Sequence, residues 1–318
     1  MPPPKRKTVL VTGAAGALAK RVIARLHERH NVVAVDFRRR VETDEGIPSY
    51  KVATHTRGFE DIFRRHQFDA VLHIGRMFAH ESDRLRRYNT NVLGAKRLLD
   101  LCCKYKVSQV VMHSTYFVYG ASPYNPALLS EEAPLKASEV TQDLVDSVEL
   151  ESLAQIYLWK HRNLHMTILR PCNVLGPGVK NSMSLLLSRP LAPVLTGFSP
   201  MMQFVHVEDM AEAMVLAFER NRPGIYNVAP EDWVPYQEAV VQAGCRKLSV
   251  PSVPPMLPKA ISGLLNWNAF FPPYLINYFK YPVIIDGHAF RDTFGWSPRH
   301  SLSDIFSYYR KQKAISPH

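Results

Sequence analysis

The 318-residue sequence predicts an α/β protein with a doubly wound parallel sheet and a smaller cap region toward the carboxyl end. Three observations predict this fold. Short apolar runs rich in β-branched residues alternate with segments of helical spacing, a glycine-containing turn joins the first run to the first helix, and an acidic residue ends the second run. Strands separated by helices require right-handed crossovers, which produce parallel sheets covered by helices on both faces.

The first predicted strand leads directly into a turn of small residues. The run Lys7-Thr-Val-Leu-Val-Thr12 is too short for a helix and apolar enough to be buried on both faces. The turn Gly13-Ala-Ala-Gly16-Ala-Leu-Ala19 follows, and a helical pattern begins there. Backbone N–H groups at a helix start can face a pyrophosphate, and small side chains let it come close. The predicted phosphate contacts are Gly13, Ala15, Gly16, Ala17 and Leu18.

The second predicted strand, Val32-Val-Ala-Val-Asp36, ends in an acid 23 residues after Gly13. A carboxylate at this point can accept both hydroxyls of an adenine ribose and repels a 2′-phosphate, which favours NAD over NADP. Arg38, Arg39 and Arg40 follow at once and can reach such a phosphate, so NADP stays the second alternative. Strand, turn, helix and acid together predict a Rossmann-type dinucleotide site.

The alternation of strands and helices continues to about residue 174. The later predicted elements are strands at 68–73, 109–113 and 166–170 and helices at 89–105 and 149–161. Residues 1–174, with 204–228 returning to the sheet, form the predicted dinucleotide-binding domain. Residues 175–203 and 229–318 form the predicted cap, where proline and glycine are frequent. We interpret the apolar segment 251–282 as the core of the cap, with a hydrophobic substrate pocket or an apolar docking surface as alternatives.

Composition and charge exclude several classes of function. Apolar residues make up 46% and charged residues 21%, which is typical of a globular chain. No cysteine pair has CxxC spacing and the 13 histidines form no metal-ligand pattern, so we expect no metal and a reducing, cytoplasmic location. We expect no secretory signal and no transmembrane segment, since no apolar run approaches ~20 residues. The net charge of +11 favours acidic protein partners or anionic surfaces, and no nucleic-acid-binding motif accompanies it.

Eight motifs occur in the order typical of one protein family. They are Gly13-x-x-Gly16-x-x-Ala19, Asp69-Ala-Val-Leu-His73, Asn91-Val-Leu-Gly, Ser114-Thr115-Tyr-Phe-Val-Tyr119-Gly, Arg170-Pro-Cys-Asn173, Phe204-Val-His-Val-Glu-Asp209, Tyr226-Asn227-Val and Gly295-Trp296-Ser-Pro. The chain resembles an extended short-chain dehydrogenase/reductase of the NAD-dependent epimerase/dehydratase group. The resemblance implies a Rossmann fold, NAD as cofactor and Thr115 as the catalytic Ser/Thr. The further cofactor contacts that it implies are Thr54, His73, Ile74, Gly75, Asn91, Ser114, Pro171 and Asn173.

The Tyr-x-x-x-Lys pair of that family is missing from the sequence. Four residues is about one helical turn, so the pair places a phenol and an ammonium on one helix face, where the phenol exchanges the proton that accompanies hydride transfer. The corresponding segment, 137–155, contains neither tyrosine nor lysine. Alignment on Glu151 puts Asp143 at the tyrosine position and Ser147 at the lysine position. Alignment on Glu149 shifts both positions by two residues and restores no pair.

The sequence keeps the predicted cofactor-binding residues but lacks the catalytic pair, and this combination leaves two functions open. The first is an NAD(H)-binding protein without turnover, acting as a sensor, scaffold or partner-binding protein. The alternative is an NAD(P)-dependent oxidoreductase, epimerase or dehydratase for a small substrate, apolar ones included, with a relocated acid/base. Thr115 and Asp143 are the candidates for that chemistry. The resemblance also implies a homodimer formed through the helices within 81–105 and 140–161.

Overall fold

The computed structural model describes residues 6–41, 46–77, 84–141, 144–251 and 273–315. The strands within these ranges are β1 Thr8–Thr12, β2 Asn31–Asp36, β3 Ser49–Lys51, β4 Ala70–His73, β5 Gln109–His113, β6 His165–Pro171, β7 Asn173–Leu175, β8 Leu191–Leu195, β9 Met201–Met202, β10 Phe204–His206, β11 Gly224–Val228, β12 Val234–Pro235 and β13 Arg246–Val250. The α-helices are α1 Ala17–His27, α2 Gly58–Arg65, α3 Arg84–Tyr88, α4 Gly94–Lys104, α5 Ala137–Val140, α6 Val145–Lys160, α7 Ser182–Leu187, α8 Val207–Arg220, α9 Tyr236–Gln242, α10 His288–Phe294 and α11 Leu302–Ile315.

Seven parallel strands form the central sheet in the order β11-β6-β5-β4-β1-β2-β3. This order confirms the predicted doubly wound architecture. The chain winds outward from β1 in one direction through β2 and β3, and in the other direction through β4, β5 and β6. A reversal of this kind leaves a crevice at the carboxyl ends of the strands beside β1, which is where open α/β sheets bind their ligands.

The alternating side chains of β1 explain why both faces of the sheet are covered. Val9 and Val11 are fully buried in one core cluster, together with the apolar faces of α1 and α8. Leu10 points to the opposite face and is buried in a second cluster with α2, α4 and α6. Successive residues of a strand point to opposite faces, so an unbroken apolar run suits a sheet enclosed by two helical layers.

Two local features differ from the sequence prediction, and a third was not addressed by it. The helix predicted at 89–105 is divided: Asn89–Leu93 forms a π-helical turn before α4, and the side chain of Asn91 is used in contacts described below. The helix predicted at 149–161 starts four residues earlier, at Val145, which places Ser147 in its first turn. The chain after β5 does not stay extended, because Tyr116–Tyr119 forms a 3-10 helix capped by Thr115.

The remaining strands form three two-stranded sheets, β10 with β7, β9 with β12 and β8 with β13. Of the segment 204–228, therefore, β11 joins the central sheet whereas β10 pairs with β7. Most of the predicted apolar segment 251–282, namely residues 252–272, lies outside the described ranges. Beyond it, Leu275, Tyr278 and Phe279 are buried in the same cluster as Val9, and the Tyr278 hydroxyl donates to the carbonyl of Phe117 at 2.6 Å.

Candidate functional site

The turn between β1 and α1 has the geometry of a phosphate cradle. Gly13 adopts a left-handed conformation with φ of +69°, and its carbonyl accepts the N–H of Gly16 at 2.9 Å. A Cβ on Gly13 would lie 2.5 Å from the backbone nitrogen of Gly75, so the turn packs directly on the chain that leaves β4. No side chain of the described residues caps the start of α1 with a hydrogen bond, and the first N–H groups of a helix have no partner within it, so they can bind an anion. Ala15, Ala17 and Leu18 are partly exposed along this turn.

Asp36 fixes the same turn from the end of β2. Its carboxylate is buried and accepts the N–H of Ala15 at 3.1 Å and the N–H of Arg38 at 2.8 Å. The exposed side chain of Arg38 reaches back, with 3.6 Å between its Nε and the carboxylate. The predicted ribose acceptor therefore also holds the glycine turn in place, a role that the sequence pattern did not indicate.

A basic cavity of about 490 Å³ lies beside Ala15 at this end of the crevice. Four of its lining residues are cations, Lys20, Arg39, Arg40 and Lys51. They come from α1, β3 and the chain after β2, so only the fold brings them together. Lys20 and Lys51 were missed by sequence reasoning because neither belongs to a motif. A cavity with this charge attracts phosphate groups.

The predicted residues at the end of β4 are mostly buried. The ring Nδ1 of His73 is hydrogen-bonded to the Thr12 hydroxyl at 2.7 Å, and burial, with a smaller effect of the Arg76 charge, lowers the pKa of His73 to about 4. Ile74 is buried next to it. Gly75 lies against the glycine turn, as described above. The imidazole is thus neutral at pH 7 and ties β4 to β1 beneath the crevice.

Thr54 and Asn91 hold the walls of the crevice together. A Cβ on Gly94 would lie 3.4 Å from the Cβ of Thr54, so this buried threonine packs tightly on the start of α4. Asn91 accepts the N–H of Met77 at 2.8 Å and donates to the Met77 carbonyl at 2.9 Å and to Asp146 at 2.6 Å. Asn91 therefore clamps the chain after β4 to α6.

The end of β5 carries the predicted Ser/Thr pair. The Ser114 hydroxyl donates to Glu151, which forms a buried ion pair with Arg170 at 2.8 Å. The Thr115 hydroxyl is nearly buried and accepts the N–H of Phe117 at 3.3 Å. Ser114 is therefore bound within the protein, and Thr115 caps the 3-10 helix from the floor of the crevice.

Two further predicted contacts lie where β6 ends. Pro171 is buried as the last residue of that strand. Asn173 accepts the hydroxyl of Tyr116 at 2.9 Å and donates to the Gln203 carbonyl at 3.0 Å. The Tyr116 phenol is therefore hydrogen-bonded within the protein.

Ser147, at the position predicted for the family lysine, is buried and accepts a hydrogen bond from Nη2 of Arg76 at 2.9 Å. Arg76 comes from the chain after β4 and was not among the predicted site residues. The signal in the sequence is that Gly75-Arg76 stands after β4 where the family that the chain resembles usually has two alanines. Asp143, at the predicted tyrosine position, lies outside the described residues.

His113 lies at the end of β5 with both ring nitrogens buried, and neither has a hydrogen-bond partner among the described residues. Burial lowers the pKa of His113 to about 3, and the nearby Arg76 charge adds to the effect. An imidazole in this setting is neutral at pH 7. A buried nitrogen without a hydrogen-bond partner costs free energy, and a role in catalysis is one of the recognised reasons for keeping such a group.

A comparison with protein-family models matches residues 9–229 to the NAD dependent epimerase/dehydratase family. The chain belongs to this family. An uncharacterized protein of Mycobacterium tuberculosis is 26% identical over 326 residues, covering 98% of this chain and 85% of the relative. Human dTDP-D-glucose 4,6-dehydratase is 23% identical over 346 residues, covering 98% of this chain and 94% of that protein.

Solved structures of this family share the fold. UDP-glucose-4-epimerase from Stenotrophomonas maltophila, with bound NAD and formylated UDP-arabinopyranose, superposes with a TM-score of 0.77 at 21% identity and covers 98% of this chain and 99% of that one. dTDP-glucose 4,6-dehydratase from Bacillus anthracis, in complex with NAD, gives a TM-score of 0.73 at 18% identity and covers 97% of this chain and 98% of that one. The predicted fold and family are thereby confirmed, whereas the roles of individual site residues stay predictions.

Two features of the described ranges bear on other functions. No group of three or more histidine, cysteine, aspartate or glutamate side chains there is arranged to hold a metal ion. None of the helices in those ranges has both the length and the apolar character needed to cross a bilayer.

Proposed function

We propose that this member of the family binds NAD(H) in the crevice but does not perform tyrosine-dependent proton transfer, and that it acts as a cofactor-dependent sensor, scaffold or partner-binding protein. The observation that carries the proposal is the contrast between the two ends of the crevice. The glycine turn and its Asp36 support are complete, whereas Ser147, at the lysine position, is buried and bound to Arg76.

The binding half of the proposal rests on a turn that suits a pyrophosphate. Backbone N–H groups at the start of α1 would hold the phosphates, and the close contact of Gly13 with Gly75 keeps that turn rigid. The adenosine would lie toward Asp36 and the basic cavity, while Ile74, Thr115 and Pro171 would line the opposite half. When bound, NAD supplies a hydride acceptor. This chain's residues bind and orient the cofactor.

The titratable side chains at the ends of β4 and β5, His73, His113 and the following Arg76, are poorly suited to proton transfer near pH 7. A general acid/base works best with a pKa near the working pH. His73 and His113 have pKa values lowered to about 4 and about 3, and the Arg76 guanidinium stays protonated. Positioned proton transfer contributes roughly 10²–10⁴-fold to a rate, so its loss reduces ordinary alcohol or ketone chemistry by that factor.

Calorimetry on nucleotide-free protein tests the binding half, with NAD, NADH, NADP and ADP-ribose as ligands. We expect NAD(H) to bind, and Gly13→Ala to abolish binding because the new Cβ overlaps Gly75. Gly197→Ala is the matched control, since Gly197 has a similar φ of +83° but open space around it, so this variant should bind as the wild type does. Failure of all four ligands to bind would refute the proposal.

A panel of alcohol, ketone and nucleotide-sugar substrates tests the catalytic half. We expect no change in the oxidation state of the cofactor and no altered product in any reaction. Turnover that disappears in Thr115→Ala or Asp143→Asn would instead support the enzyme with a relocated acid/base and would overturn the proposal of a binding protein.

A further inference from the structure

Four basic side chains converge on the cavity beside Ala15 at the adenosine end of the crevice. Lys20 comes from α1 and Lys51 from β3, while Arg39 and Arg40 belong to the chain that follows β2. The cavity measures about 490 Å³, which lies within the roughly 300–1,000 Å³ of typical small-molecule sites. No acidic residue is among its described lining residues. The fold therefore builds a concave surface of a single charge sign next to the glycine turn.

These four cations have no anionic partner within the described part of the chain. None of the four side chains forms a hydrogen bond or an ion pair there. Neighbouring cations differ in this respect, since Arg25 on α1 is paired with Glu208 at 2.7 Å and Arg38 reaches Asp36. Like charges around one cavity repel each other, so the binding of an anion between them relieves that repulsion and stabilises the bound state.

The carboxylate of Asp36 does little to cancel this positive charge. Asp36 is buried, and each of its oxygens accepts a backbone N–H, Oδ2 that of Ala15 and Oδ1 that of Arg38. The guanidinium of Arg38 lies 3.6 Å from Oδ1 and offsets the negative charge. Repulsion by this carboxylate is the argument by which the sequence pattern disfavours a phosphate on the ribose. Because the carboxylate is paired with a cation, that repulsion is weakened.

We propose that this cavity binds a phosphate group on the adenosine ribose of the ligand, in addition to the two phosphates that the glycine turn holds. The inference rests on the proposed binding of NAD(H), which places an adenosine next to the cavity. Lysine ammonium groups supply point charges and arginine guanidinium groups supply paired N–H donors, so the four side chains suit a phosphate dianion. The same phosphate ester stands on C2′ of the ribose in NADP(H) and on C3′ in coenzyme A.

Calorimetric titration of two matched ligand pairs into the nucleotide-free protein tests the inference. NADPH and NADH differ only in the 2′-phosphate, and coenzyme A and dephospho-coenzyme A differ only in the 3′-phosphate. We expect the double variant Lys20→Gln/Lys51→Gln to weaken binding of the phosphorylated member of one pair at least about fivefold more than that of the unphosphorylated member, a difference of about 1 kcal/mol. Both lysines are exposed, so the variant should keep its fold. The pair that responds identifies the position of the phosphate.

A matched control removes the same amount of charge elsewhere. Lys160→Gln/Arg246→Gln replaces two exposed cations outside the cavity and should leave the affinity ratio within each pair unchanged. Arg39→Gln/Arg40→Gln removes the other two cavity cations and should reproduce the selective loss.

Two results would overturn the inference while NADH binding by the wild type leaves the proposed function intact. One is failure of both phosphorylated ligands to bind the wild type. The other is a selective loss below about fivefold in both pairs for both cavity variants. Absence of binding by all four ligands would overturn the proposed function and this inference together.

Discussion

Acidification should destabilise this protein before its carboxylates are protonated, because two histidines are buried in neutral form. Burial lowers the pKa of His73 from 6.5 to about 4 and that of His113 from 6.5 to about 3. Below pH 6.5 the two histidines become protonated in the unfolded chain but stay neutral in the folded chain. The stabilisation is therefore complete above pH 6.5 and is lost as the pH falls toward the two folded-state values.

The size of the effect follows from the two shifts. One pKa unit is worth about 1.4 kcal/mol, so at about pH 5 each histidine lowers the free energy of unfolding by about 2 kcal/mol. Together they remove about 4 kcal/mol, a large part of the roughly 5–15 kcal/mol that stabilises a typical domain. Because both histidines lie at the crevice, we expect this loss to open the ligand site first.

Urea unfolding followed by circular dichroism at about pH 7.5 and about pH 5 measures the difference. His113→Leu removes one titrating group that has no hydrogen-bond partner among the described residues, so about half of the pH-dependent loss should disappear. His55→Leu, at an exposed histidine, is the matched control and should keep the full loss. A wild type equally stable at both pH values, or a His113→Leu variant with the full loss, would show that the buried histidines do not cause the acid sensitivity.

Two further predictions concern packing and assembly. Gly75→Ala should lower the free energy of unfolding by about 1–3 kcal/mol and weaken NADH binding, because the new Cβ would press on Gly13. Gly58→Ala is the control, since the nearest atom to its Cβ would be 3.7 Å away, and it should change neither stability nor binding. Thermal melts and calorimetry measure the two effects. Trp159 is 71% exposed on α6, one of the helices of the expected homodimer interface, so Trp159→Asp should shift the sedimentation coefficient to that of the monomer. Trp233, 50% exposed between β11 and β12, lies outside those helices, so Trp233→Asp is the control and should leave the dimer intact. A dimer that survives Trp159→Asp contradicts that interface.

The sequence predicted the central sheet well because its signals are local. An apolar run such as that of β1 is buried on both faces, and the turn from Gly13 to Gly16 lies within a few residues of it. The boundaries of the helices were harder to predict than the strands of the sheet. The residue before the start of α6 is Leu144, whose side chain cannot cap a helix, so nothing at that position indicated a start one turn earlier.

The candidate site could be predicted only where its residues belong to motifs. Asp36 was identified from its spacing, but its hydrogen bond to Ala15 is a tertiary contact that no pattern encodes. The contact of Arg76 with Ser147 joins positions 71 residues apart, and no motif or spacing connects them. Nor does any periodicity connect Lys20 with Lys51, which the fold places around one cavity. Contacts of this kind depend on the register of the whole sheet.

Titration of nucleotide-free protein with NADH distinguishes cofactor binding from turnover in one experiment. The fluorescence and the absorbance of the reduced nicotinamide are followed in the same sample. Binding of the dinucleotide without turnover predicts fluorescence that saturates at one NADH per chain, with absorbance that stays constant when carbonyl substrates are added. Fluorescence that never saturates would contradict the binding half. A steady decline of absorbance with a substrate, absent from a protein-free control, would show that the protein oxidises NADH and would contradict the claim that it has no turnover.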